Sequence, residues 1–172
     1  MRSIVLCVAV SLLTACGSTE SAAPARPANA APGALDPNAT LVRVIDGDTI
    51  VASIGGHDEK IRLIGIDTPE TVKPNTPVQC FGPQASAFTK SLLPPGTALH
   101  LERDAEGRDD YGRLLAYVYR ADDGLFINLS IVQQGDARLL TFPTNTVHAP
   151  EFIAAARTAE QADLGLWMAC GG

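Results

Sequence analysis

Ten consecutive residues constrain this chain more than any other stretch: Ile61-Arg62-Leu63-Ile64-Gly65-Ile66-Asp67-Thr68-Pro69-Glu70. The apolar half, rich in β-branched residues, reads as a buried strand over 61–66. The polar half reads as a turn carrying two carboxylates, Asp67 and Glu70, with Pro69 stiffening the link between them. Arg62 and Asp67 are five positions apart, so strict alternation would send them to opposite faces. For both to reach one site, strand geometry must break near Gly65. A bulge or an early strand end is predicted there.

The chain around this stretch reads as a small mixed fold. Residues 41–45 and 49–54 form two strands joined by Asp46-Gly47-Asp48, and Gly55-Gly56-His57-Asp58 turns the chain into the third. Three short strands on tight turns suggest an antiparallel meander. A Pro-rich irregular loop runs to Gly82. Pro83 can then open a helix at its first position, with Ala85, Phe88 and Leu92 on one face. Residues 98–103 and 113–119 read as a fourth and a fifth strand, separated by a charged loop over 104–110. Residues 128–134 and 151–164 read as two further helices, closed by Gly135 and Gly165. Five strands and three helices make an α+β fold with a mainly β core. The order suits a five-stranded OB-type barrel.

The carboxylates have two readings. Alone, Asp46-Gly47-Asp48 is a hairpin turn and Asp67-Thr68-Pro69-Glu70 a helix cap. Together, Asp46, Asp48 and Asp67 offer the hard oxygens that a dication such as calcium takes, while Glu70 fits a general base acting on water. Arg62 and Arg113 carry guanidinium forks that match phosphate oxygens bidentately. Tyr111, in Tyr111-Gly112-Arg113, can stack on a base or bond a phosphate. His57, His100 and His148 have no ligand spacing and read as surface or structural residues.

Charge sharpens the problem. The chain has 13 Lys and Arg against 19 Asp and Glu, a formal net charge of -6. Its bulk field repels polyanions, so any phosphate partner must meet a local basic patch or a bound cation.

The N-terminus reads as an export signal. Met1-Arg2 precedes an apolar run over 4–13, too short to span a bilayer of ~30 Å hydrocarbon. It ends Leu13-Thr14-Ala15-Cys16-Gly17, which resembles a bacterial lipobox. On that reading 1–15 is removed and Cys16 is acylated. Residues 16–38 form an Ala/Pro-rich tether, and 39–172 form the folded domain. The domain would then sit at the outer face of a membrane, where disulfides persist. With Cys7 removed and Cys16 lipidated, Cys80 and Cys170 remain to pair. The bridge would close a loop of 170 − 80 = 90 residues.

Taken in order, Val44-Ile45-Asp46-Gly47-Asp48-Thr49, the stretch 61–70 and Asp110-Tyr111-Gly112-Arg113-Leu114-Leu115-Ala116-Tyr117-Val118-Tyr119 resemble the staphylococcal (micrococcal) nuclease, or thermonuclease-like, family over about residues 40–168. The resemblance implies an OB-type barrel and calcium-dependent endonuclease hydrolysis of DNA and RNA. Cleavage of the 5′ P–O bond would leave 3′-phosphates. It implies calcium held by Asp48, Asp67 and the Thr68 carbonyl, with Asp46 acting through water. Glu70 would be the general base, Arg62 and Arg113 would hold the phosphate, and Tyr111 would contact the nucleotide. The protein is expected to act as a monomer. Two features depart from the family. Asp110 stands where a basic residue is common, and 138–142 lacks a Tyr pair that lines the base pocket. Both imply weaker or altered substrate binding. The alternative is an OB-fold surface lipoprotein that binds nucleic acid with little or no catalysis.

Overall fold

A computed structural model describes residues 33–141 and 143–171. The signal segment 1–15, the Cys16 lipidation site and the tether up to residue 32 lie outside the described residues, as does Phe142.

Three antiparallel strands begin the domain: β1 Ala39–Asp46, β2 Thr49–Ile54 and β3 His57–Leu63. Gly55 and Gly56 join β2 to β3 with φ of 57° and 85°. Two successive positive φ values suit a two-residue hairpin turn and favour glycine. The chain then gives β4 Ile66–Asp67, α1 Gly82–Leu92, β5 Ala98–Glu102, β6 Leu114–Arg120 and β7 Leu125–Phe126. It ends with α2 Ile127–Gln133, β8 Arg138–Leu139, α3 Ala149–Gln161 and α4 Leu166–Cys170.

The main sheet runs β3-β2-β1-β5-β6-β7. A parallel pairing of β3 with β6, Ile61 opposite Leu114 and Leu63 opposite Ala116, closes five of these strands into a barrel. The expected five-stranded OB-type barrel is therefore present. Its interior is filled by Leu41, Ile50, Ala52, Ile61, Leu63, Leu99, Ala116 and Val118, all nearly inaccessible. Ile127 and Ile131 of α2 and Phe152 of α3 extend that core. Each such side chain contributes about 1.5–3 kcal/mol through burial.

The third strand is corrected. It starts four residues earlier than predicted and stops at Leu63. Gly65 then takes φ 85°, and an added Cβ would run into the Phe152 ring. Strand geometry resumes only at β4, which leaves the barrel and pairs with β8. This is the break that Arg62 and Asp67 required. The fully buried Asn128 holds it in place. Its Nδ2 donates to Ile64 O at 2.9 Å, and its Oδ1 accepts from Val118 N at 2.9 Å.

The helix count is also corrected, from three to four among the described residues. The fourth, α4, has five residues, too few to show a 3.6-residue period. Its last residue, Cys170, is disulfide-bonded to Cys80, with Cα atoms 6.0 Å apart. The bridge ties the chain's end to the loop before α1. His148 is structural: its ring packs edge-on to Tyr117 at 4.5 Å, and its Nδ1 lies 3.1 Å from Glu151.

Candidate active site

The site lies where two turns meet. One is Asp46-Gly47-Asp48, between β1 and β2. The β1–β2 register slips by one residue between Val44 and Asp46, which leaves Ile45 bulged and brings Asp46 opposite Thr49 at the turn. The other turn is 67–71, beyond β4. Thr68 N donates to Asp48 Oδ2 at 2.9 Å. Thr71 donates to Asp46 twice, from its N at 2.9 Å and from its hydroxyl at 2.7 Å. From α1, the Thr89 hydroxyl donates to Gly47 O at 2.7 Å. These contacts hold the two acidic turns in one register.

Arg62 sits between them and is 3% exposed. Its Nη2 lies 2.9 Å from Asp67 Oδ1 and 3.2 Å from Asp48 Oδ2. Its Nη1 donates to Leu63 O at 2.9 Å and Ile66 O at 2.7 Å. The carbonyls are available because the chain leaves the sheet between Leu63 and Ile66. The break therefore creates the socket for the guanidinium. A buried charge needs such full pairing.

Two carboxylates thus converge on one cationic nitrogen. Burial pushes the Asp67 carboxyl up, the Arg62 charge opposes this, and the Asp48 charge adds to the rise. Beside them, Thr68 Oγ1 is buried without a hydrogen-bond partner. Hard oxygens focused on a positive centre fit a dication of the calcium type. Among the described residues no three Asp, Glu, His or Cys side chains group tightly enough to hold an ion. The cation-binding set would be Asp48 and Asp67 supplemented by backbone oxygen.

Glu70 is held as a carboxylate. Its Oε1 accepts from the backbone N of Thr71, Val72 and Lys73 at 3.0–3.1 Å. Burial pushes its carboxyl up, but a hydrogen bond shared with Asp46 and those three amides outweigh this, and its pKa falls below the ordinary value. Asp46 moves the other way, raised by burial and by the bond to Glu70. Of the pair, Glu70 is the one whose carboxylate form its surroundings favour, through the three amides and Asp46. Its own N donates to Gln79 Oε1 at 2.8 Å.

Arg113 and Tyr111 stand apart from this cluster. Arg113 immediately precedes β6, the strand beside β3. Its Nε pairs with Asp109 Oδ2 at 2.6 Å, and its guanidinium lies 5.4 Å from the Tyr111 ring centre. Tyr111 is 85% exposed and belongs to a turn. Among the described residues Arg113 makes no ion pair with Asp46, Asp48, Asp67 or Glu70. Asp110 is exposed next to it.

Sequence reading missed four residues: Thr71, Gln79, Asp109 and the packing role of Gly47. A Cβ on Gly47 would meet Thr68 Oγ1, Cγ2 and Cβ at 2.7–2.9 Å. A glycine between two carboxylates was the available signal for that close approach. Nothing in the sequence links Thr71 to Asp46 across 25 positions.

A closed OB-type barrel that holds the buried Arg62 guanidinium between Asp48 and Asp67, with Asp46 and Glu70 beside them, belongs to the class of small barrels with an acidic, arginine-centred site. The family described as "Staphylococcal nuclease homologue" matches residues 60–169. A thermonuclease of Staphylococcus intermedius is 46% identical over 125 residues, 73% of this chain and 73% of its own. A thermonuclease of Staphylococcus hyicus is 40% identical over 127 residues, 74% and 73% of the two chains. Endonuclease YncB of Bacillus subtilis is 40% identical over 136 residues, 78% of this chain and 63% of its own. The chain belongs to the staphylococcal nuclease family, and it is a nuclease, a hydrolase of phosphodiester bonds.

Proposed function

We propose that this protein is a calcium-dependent endonuclease of DNA and RNA that leaves 3′-phosphate ends. It works as a monomer at the outer face of a bacterial membrane, anchored by lipid on Cys16. The observation that carries the catalytic reading is the convergence of Asp48 and Asp67 on one guanidinium nitrogen, 3.2 and 2.9 Å away. The Cys80–Cys170 bridge supports an oxidising location outside the cytosol.

Asp48, Asp67 and the Thr68 carbonyl would hold calcium, with Asp46 acting through water. When bound, calcium supplies positive charge that draws in and polarises phosphate oxygens. The chain's own groups do the rest. Glu70, ionised by its amide cradle, takes a proton from a water as that water's oxygen bonds to phosphorus. Arg62 and Arg113 exchange carboxylate partners for phosphate oxygens and offset the extra negative charge on five-coordinate phosphorus. The 5′ oxygen departs with the bonding pair and takes a proton from solvent. Tyr111, exposed beside Arg113, steadies the nucleotide.

The test is cleavage of single-stranded DNA and of RNA by the full-length protein in mild detergent, with calcium and then with chelator. Calcium-dependent cleavage to 3′-phosphate ends is expected. A protein that binds oligonucleotide but never cuts it would instead be a binding module. For the anchor, Cys16→Ser should move the protein from the membrane to the soluble fraction.

A further inference from the structure

Beyond the acidic cluster, the chain carries a second basic place that this mechanism does not use. A cleft of about 310 Å³ opens between β8, α3 and α4, lined by Arg138, Leu139, Ile153, Arg157, Glu160 and Trp167. Four of the described arginines, Arg62, Arg108, Arg113 and Arg120, are tied to carboxylates. Arg138 and Arg157 are exposed and, among the described residues, make no ion pair. Against the single carboxylate of Glu160 they leave the cleft locally positive, on a chain of net charge -6.

The cleft also offers a flat face. The Arg138 guanidinium lies over the Trp167 indole, 4.6 Å from its centre. A guanidinium backed by an aromatic ring presents both a charge for phosphate and a plane for a base.

The cleft adjoins the candidate active site. In the β4–β8 ribbon, Arg138 is the register partner of Asp67. Cα atoms of such antiparallel partners are about 5 Å apart, and their side chains leave the same face. Yet the Arg138 guanidinium turns over Trp167 and makes no ion pair with Asp67. One end of the cleft therefore starts beside a cluster carboxylate, and the cleft leads away from it toward α3.

We propose that this cleft is an accessory subsite for the single-stranded nucleic acid substrate. It takes a nucleotide flanking the scissile bond, with its phosphate on Arg138 and Arg157 and its base against the Arg138–Trp167 platform. The occupant is single-stranded because a paired base cannot offer its face to a side chain. The inference rests on the nuclease reading, since it assigns this cleft to the same substrate.

Trp167 is the only tryptophan in the chain, so its emission reports on the cleft without any need for turnover. The experiment titrates the full-length protein in mild detergent with a single-stranded DNA of about ten nucleotides, a length within the range of one OB-type barrel. It also compares kcat/KM for that substrate and for a dinucleotide. Trp167 emission should change on binding. Arg157→Gln should lower the ratio of the long to the short kcat/KM about fivefold, the size of one exposed charge contact. It should also flatten the salt dependence of binding by about 0.7 in log–log slope. Arg157→Lys, which keeps the charge, should retain most of the salt slope. An active enzyme with silent Trp167 emission and an unchanged ratio in Arg157→Gln overturns the subsite and leaves the nuclease reading intact. Emission that responds in a protein that cuts neither substrate supports the cleft and removes the catalytic reading.

Discussion

Gly47→Ala tests the site without touching any charged group. Gly47 lies in the turn between Asp46 and Asp48, and its backbone is in a region open to alanine. The new methyl would sit 2.7 Å from Thr68 Oγ1, 2.8 Å from its Cγ2 and 2.9 Å from its Cβ. Ordinary contact begins near 3.4 Å, so Thr68 must retreat by about 0.6 Å. Thr68 is tied to Asp48 through its N–H and carries the carbonyl assigned to the cation. A displacement of 1 Å at a reacting centre costs about a hundredfold in rate, so about 0.6 Å should cost roughly tenfold or a little more. Overpacking of this size should also lower stability by about 1–3 kcal/mol. The assay is single-turnover cleavage of single-stranded DNA at saturating calcium, with a denaturant melt of the same sample. Thr68→Ala alone should turn over near the wild-type rate, because the assigned group is its carbonyl and its hydroxyl is buried without a partner. In the Gly47→Ala background it should recover part of the loss, since it removes two of the three clashing atoms. Wild-type turnover by Gly47→Ala would mean that the placement of Thr68 does not limit the reaction.

Four further outcomes are expected. Glu70→Gln should cut kcat by about 10²–10⁴-fold while thermal melting stays near wild type, because the amide oxygen can still cap Thr71 to Lys73; an unchanged kcat removes Glu70 as the base. Arg113→Lys should lose rate as well, since a point charge does not reproduce the fork, and its kcat measured beside that of Arg113→Gln checks this. Replacing Cys80 and Cys170 by Ser opens a 90-residue loop and should cost about 4–5 kcal/mol, read by denaturant unfolding. Asp136 is 3% exposed, and burial pushes its carboxyl up to about 6, above an unfolded value near 3.9. The folded state then binds this proton more tightly. Its contribution is fully present below about pH 4 and is lost as pH rises through about 6, some 2–3 kcal/mol in all. Asp136→Asn should accordingly be more stable than wild type at pH 7 and should lose that slope between pH 4 and 6 in pH-dependent melts.

Much of the site could be read from the sequence because its residues are local and few kinds of geometry satisfy them. Arg62 and Asp67 could share a site only if the strand broke near Gly65, and Gly65 is where it breaks. Asp46 and Asp48 flank a glycine, which already spelled a tight turn. The rest depends on partners distant in sequence. Thr71 meets Asp46 across 25 positions, and Gln79 reaches Glu70 from an irregular loop. The burial of Arg62 was invisible because its acceptors are the carbonyls of Leu63 and Ile66, freed only when the chain leaves the sheet. Phe81, at φ 66°, starts α1 in a left-handed conformation that a bulky residue seldom adopts. β8 has two residues and α4 has five, shorter than two full periods of either pattern, so neither repeats enough to be read.

The parallel pairing of β3 with β6 has a consequence for how the chain is made. Ile61 meets Leu114 across 114 − 61 = 53 positions, and β1 meets β5 across a similar span, Ala39 to Leu99. β6 is the keystone: it bonds to β3 on one side and β5 on the other. A chain emerging N-terminus first therefore carries two unsealed edges until Arg120 has appeared. Long-range closure of this kind is slow, and open edges invite pairing with other chains. Folding of this nuclease is accordingly a late event, set by the arrival of one seven-residue strand.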